Sequence, residues 1–184
     1  MSLSPDHVKN VLSFWFEQSG REKWFKSSDG FDADVRKRFE TLSISLAARR
    51  AMRPENPDEG LAMILCLDQF PRNMYRGTPA AFAWDAQALA CADIMIERGW
   101  DLKLKQDPRS FVYMPYMHAE DIAMQVKCVD LTDRRLDSEN QLFHAKAHMQ
   151  LIEKFGRFPH RNKILGLEST PLDLTFLADG GYKP

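Results

Sequence analysis

"LAMILCLDQFPRN", residues 61–73, is apolar on nearly every face until Asp68 and then runs into Pro71. A helix that is apolar all round belongs at the centre of a fold. Its start is marked by Asn56-Pro57-Asp58-Glu59, a cap, a first-turn proline and two acids. Its end is expected near Phe70, because a residue before proline is driven out of the helical region. Asp68 falls on the stripe of Leu61, Ile64 and Leu65 and is therefore expected to be buried. A buried carboxylate without a partner is costly, so it should pair with a cation, and Arg72, Arg76, Arg157 and Arg161 are the candidates.

Two of those arginines belong to a second copy of the same phrase. "DQFPRN" at residues 68–73 is answered by "GRFPHRN" at 156–162, which carries Phe-Pro-Arg-Asn with His160 inserted. Each copy is followed by a glycine, Gly77 or Gly166, and then by Thr-Pro. Both are read as connectors between helices, with proline as the stop, arginine for open carbonyls and asparagine for the turn.

The chain on either side is helical by pattern. Ser4, Pro5 and Asp6 open a helix whose Val8, Val11, Leu12 and Trp15 recur at helical spacing. Another runs from about Asp32 into Arg49 and Arg50, with Val35, Phe39, Leu42 and Leu46 on one stripe. Thr78-Pro79 opens a helix that Gly99 ends, and Asp107-Pro108 starts a short one. Pro115 to about Val129, Asp137 or Ser138 to Phe155, and Thr170-Pro171 to Gly180 complete the series. No stretch alternates long enough to read as a strand. The expectation is one all-α domain over residues 1–184, built from antiparallel helix pairs.

Composition narrows the function classes. A net charge of −1 gives no reason to expect nucleic acid as a partner. The longest apolar runs are too short to span a bilayer. Asp6, His7 and Lys9 interrupt the place where a signal sequence would be apolar, so a cytoplasmic location is expected. Cys66, Cys91 and Cys128 each lie in apolar surroundings and read as buried free thiols. There is no Gly-rich phosphate loop, no Gly-x-Ser-x-Gly elbow and no Cys-x-x-Cys, and no cofactor is indicated.

A second polar group stands out in "FVYMPYMHAED", residues 111–121, where uncharged residues run into His118, Glu120 and Asp121. If the helix has begun there, His118 and Asp121 share a face. His148 lies on the face of Leu151, Ile152 and Phe155 and should point inward, with His144 one turn earlier. That pair has the spacing of metal ligands, but no carboxylate or cysteine completes a set, and no metal is expected. The aromatic clusters "SFWF" (13–16) and "KWF" (23–25) read first as core.

"LDQFPRNMYRGTPAAFAWDAQAL", "FVYMPYMHAED" and "HMQLIEKFGRFPHRNKILGLESTP" resemble the signature segments of a bacterial family, domain of unknown function family 924. "VLSFWF" and "KWF" with its following Phe-Asp fit it as well, so the resemblance spans nearly the whole chain. It implies an all-helical, tetratricopeptide-like array and no established activity, substrate or cofactor. Its motifs fall on Asp68, Gln69, Arg72, Asn73, Arg76 and Gly77, on His118, Glu120 and Asp121, and on His148, Arg157, His160, Arg161 and Asn162. Ala119 and Leu167 depart from it, where serine and arginine would be expected.

Two functions remain open. One is a small-molecule site, for binding or for catalysis, where the two arginine phrases meet the His-Ala-Glu-Asp segment. It would favour an anionic ligand, with His118 or His160 as acid or base. The other is a scaffold that presents a concave helical face to a peptide, with the arginines purely structural. Oligomeric state is open in both.

Overall fold

The computed structural model describes residues 2–182, apart from 25 and 27. Among them there are helices and turns but no strand, as the periodicity implied. The α-helices are α1 (Pro5–Ser13), α2 (Asp29–Ala47), α3 (Pro57–Ile64), α4 (Phe70–Met74), α5 (Asp85–Glu97), α6 (Gln106–His118), α7 (Ile122–Arg135), α8 (Glu139–Phe155), α9 (Asn162–Leu165) and α10 (Pro171–Ala178). In the first half, helices pack on the next but one: α1 on α3, α2 on α4, α3 on α5. From α5 to α8 each packs on its successor, across short links that force antiparallel neighbours.

The caps lie where the residues placed them. Ser4 accepts from the His7 amide, Asn56 from Glu59, Ser138 from Gln141, and Thr170 forms a reciprocal capping box with Asp173. From Glu59 onward α3 is buried, and it approaches α5 closely enough that a Cβ at Gly60 would collide with Met95 Sδ. Phe14, Trp15, Phe39, Phe70 and Phe111 form the aromatic centre, with Phe39 and Phe70 stacked at 4.7 Å and Trp15 edge-on to Phe111 at 5.8 Å. Burying rings of this size contributes roughly 2–3 kcal/mol each. A smaller cluster of Leu151, Ile152 and Phe158 sits under the C-terminal segment.

Two prolines do not act as stops. The helix expected to end near Phe70 continues through Pro71 to Met74. Between α3 and α4 the backbone widens into a π-helical turn, Leu65–Gln69, in which the Phe70 amide bonds to the Leu65 carbonyl. In a regular helix the Pro71 ring would strike the carbonyl four residues back, and its missing N–H would leave that carbonyl unbonded. The extra residue in the turn puts Pro71 in the first turn of α4, where it is tolerated. The first Phe-Pro-Arg-Asn is therefore inside a helical rod, not in a connector.

Pro115 likewise lies inside α6, so the expected short helix from Asp107-Pro108 and the separate one from Pro115 are a single α6 followed by α7. The break falls instead at 119–121. Asp121 takes the amides of Ala123 and Met124, and the buried Gln125 amide donates to the carbonyls of Tyr116, Met117 and Ala119 at 3.2, 2.7 and 2.7 Å. Gln125 thus satisfies the open end of α6. As a result His118 ends one helix and Asp121 caps the next, and they share no face.

The second phrase is a connector as expected. Gly156 ends α8 at φ 68°, Pro159–Arg161 forms one 3₁₀ turn, and α9 follows. No helix among the described residues is long and apolar enough to cross a membrane.

Candidate functional site

The π-helical turn delivers two adjacent polar side chains, Asp68 and Gln69, to the interior. Asp68 is fully buried. The Gln69 amide donates to one carboxylate oxygen and also reaches Met114 Sδ at 3.3 Å. The other oxygen lies 2.8 Å from His118 Nδ1 and 3.4 Å from Arg72 Nη2. Burial alone would raise the Asp68 carboxyl, but the Arg72 charge and the bonds from His118 and Gln69 override it and hold it well below the usual carboxylate range. His118 is lowered as well, here because burial wins: burial, then the Arg72 charge, depresses it against the pull of Asp68. Its contact with Asp68 is a hydrogen bond from a neutral imidazole at neutral pH, not an ion pair.

Arg72 has a second acid. Its guanidinium is forked onto Asp85 at 2.9 and 3.0 Å, and it also donates to the carbonyls of Asp68 and Ala81. Arg161, from the second phrase, lies between the rings of Phe82 and Phe158, with centroids 4.7 and 4.3 Å away. It donates to the His118 carbonyl at 3.2 Å and lies 3.8 Å from Glu120, while its buried Nε has no partner. Arg72 is 5.5 Å from the same Phe82 ring. The two phrases, distant in sequence, therefore meet across Phe82 beside His118.

In front of this group opens a cavity of about 780 Å³. Gln69, Arg72, Asn73, Arg76, His118 and His148 all line it, joined by Trp24, Met114, Met117, Leu136 and Tyr182. Arg21, Lys26 and His144 add to its basic wall, and no Asp or Glu is among the described lining residues. His148 Nδ1 donates to the His144 carbonyl at 2.8 Å, and its ring lies 6.5 Å from that of His118. Burial outweighs that bond and, with the charges nearby, depresses His148 to about 3. His144 Nδ1 meets the Tyr182 hydroxyl at 2.7 Å, so the C-terminal segment forms part of the wall.

Other expected site residues are placed elsewhere. Glu120 accepts the Phe158 amide at 2.9 Å, and exposed Asp121 is a helix cap. Arg157 binds Asp173 and the Glu168 carbonyl, and Asn162 binds Asp173 and Ser169. His160 packs on Phe158 and does not line the cavity. The expected convergence of four arginines reduces to two, because Arg76 is forked onto Asp32 and Arg157 donates to Asp173. Nor is there a guanidinium surplus at the meeting point, where Asp68, Asp85 and Glu120 face Arg72 and Arg161. Of the expected aromatic clusters, Phe14 and Trp15 are core and Trp24 lines the cavity, while Phe25 lies outside the described residues. Asp85, Phe82, Lys26 and Tyr182 were not foreseen. Asp85 is an ordinary first-turn acid, and Tyr182 follows two glycines with no pattern to mark it. Among the described residues no three His, Cys, Asp or Glu side chains converge as a metal set.

An all-α protein with a buried carboxylate–imidazole pair behind a basic cavity is thus defined. The model of a family of bacterial proteins of unknown function matches residues 11–181, and the chain belongs to that family. It is similar to the solved structure of a protein of unknown function from Agrobacterium tumefaciens, at 37% identity and a TM-score of 0.84, over 94% of this chain and 97% of that one. No curated protein matches the chain.

Proposed function

We propose that the chain binds a small anionic molecule, a carboxylate or phosphate, in the cavity between His118, Arg76 and Tyr182. The observation that carries this is the lining: four Arg or Lys residues and three histidines without one Asp or Glu among the described walls. Guanidinium and ammonium donors on the wall of a partly enclosed space suit the oxygens of an anion, with the acids that pair Arg21, Arg72 and Arg76 outside the lining. The volume of about 780 Å³ is that of a pocket for a compact metabolite. Trp24, Met114, Met117 and Leu136 would cover the ligand's apolar body. The alternative, a tetratricopeptide-like scaffold for a peptide, called for an open apolar groove with the arginines sealed inside, and it gains less from a cavity that Arg21, Arg72 and Arg76 line. Because Cys66, Cys91 and Cys128 are buried free thiols, we place its work in the cytoplasm.

The test is a thermal-shift screen of carboxylate and phosphate metabolites against salt-matched controls. A ligand at about one hundred times its Kd adds roughly 2.7 kcal/mol of stability. Arg76→Gln and Lys26→Gln should weaken that response. If no acid shifts the melting temperature beyond its salt control, the reading fails.

A further inference from the structure

We propose that the cavity is catalytic, with His118 as the general base toward an O–H or C–H of the bound acid and Asp68 as the positioning residue behind it. This rests on the cavity being a ligand site. Asp68 already has Arg72 and Gln69 as partners, so His118 is not required to neutralise it. A histidine kept only to satisfy a buried acid would sit in the core, whereas His118 is on the cavity wall. An ionised carboxylate can only accept, so the hydrogen on His118 must be on Nδ1, 2.8 Å from Asp68. Nε2 is then a bare lone pair, and no described residue hydrogen-bonds to it.

His148 repeats the arrangement. A carbonyl also only accepts, so His148 Nδ1 carries the hydrogen given to His144, and its Nε2 is bare as well. Two neutral imidazoles, with rings 6.5 Å apart, thus face one cavity with the same edge free. The π-helical turn that presents Asp68 is the backbone irregularity that often marks functional sites.

The step is a proton transfer. The substrate X–H bond breaks, its electron pair stays on X, and the proton forms a new bond to His118 Nε2. The imidazolium is held by the Asp68 carboxylate, which remains ionised. Arg72, Asp85, His148 and Arg161 are the other titratable groups around it. The proton then returns to the product, at the same atom or another, so the class is isomerisation or proton exchange of a small acid and needs no further reactant.

The experiment uses the full chain. Nitrogen-15 NMR of the labelled histidines reads the tautomer directly, and His118 should be in the Nδ1–H form. Diethyl pyrocarbonate then probes the lone pair: Nε2 attacks its carbonyl and expels ethyl carbonate, which decays to ethanol and carbon dioxide. Peptide mass mapping should show His118 reacting at least as fast as exposed His7, and inorganic phosphate should slow His118 and leave His7 unchanged. In Asp68→Asn the amide can donate to Nδ1, which inverts the tautomer, and the His118 rate should drop about tenfold or more. An Nε2–H tautomer in the unaltered protein, or an unchanged rate in Asp68→Asn, would overturn the proposal. The tautomer reading stands even if that variant fails to fold. Phosphate binding with the wrong tautomer removes the base alone. A reactive His118 that neither phosphate nor any screened acid protects removes the ligand reading, and this proposal with it.

Discussion

Phe70-Pro71-Arg72-Asn73 lies inside a continuous helical rod, and Phe158-Pro159-His160-Arg161-Asn162 lies in a connector after α8. The residues before the proline decide. Phe158 is extended, at φ −91° and ψ 106°, as a residue before proline prefers, and left-handed Gly156 has already ended its helix. Phe70 stays helical, at φ −62° and ψ −39°, because the π-helical turn before it removes the clash. The arginines diverge accordingly. Arg72 is held by two carboxylates, which raise its pKa against burial. Arg161 is packed between two rings with one weakly placed acid, and burial, then the Arg72 charge, pushes it down to about 10. One phrase is an electrostatic joint and the other a packing joint.

The largest expected effect breaks the first joint. Arg72→Ala leaves buried Asp68 without its cation and should cost about 3 kcal/mol in urea unfolding. A loss below about 0.5 kcal/mol would mean that the ion pair is no better than a surface one.

Next comes pH, through the histidine packed on the second phrase. His148 is depressed to about 3 in the folded chain, against an unfolded value of about 6.5. The folded state therefore binds fewer protons, and stability falls as pH drops from about 6.5 toward 3, with no contribution above 6.5. Between pH 7.5 and 5 this amounts to about 2 kcal/mol, which His148→Gln should remove from the profile. The lowered His118 adds in the same direction.

Gly156→Ala comes third. At φ 68° an alanine Cβ is strained, so about 1 kcal/mol should be lost, measured by thermal melting. The smallest effect sharpens the contrast. Arg161→Met keeps the stack between Phe82 and Phe158 and removes a poorly paired charge, so it should change stability by less than about 1 kcal/mol. A loss as large as that of Arg72→Ala would make the two joints equivalent.

Local chemistry was legible where one segment carried all of it. The stripe of Leu61, Ile64 and Leu65 placed Asp68 inside, and the caps at Ser4, Asn56, Ser138 and Thr170 follow from neighbouring residues. That Asp68 needs an arginine followed from the cost of burying charge. What was not legible depends on partners far along the chain. Arg76 is drawn off by Asp32, 44 residues earlier, and Arg157 by Asp173. Pro71 read as a stop and Pro115 as a start because local rules know nothing of a widened turn or of Gln125 closing α6 from the next helix. Arg76 was named as a candidate, but Arg21 and Lys26, which complete the basic wall with it, share no motif with it or with His118.

If the cavity takes an anion, His118 and His148 must sense it. Imidazole resonances followed during titration with inorganic phosphate, at fixed pH and ionic strength, report this. Saturable shifts are expected at His118 and His148 and none at exposed His7. Small, unsaturating shifts of equal size at all three would contradict anion binding in the cavity.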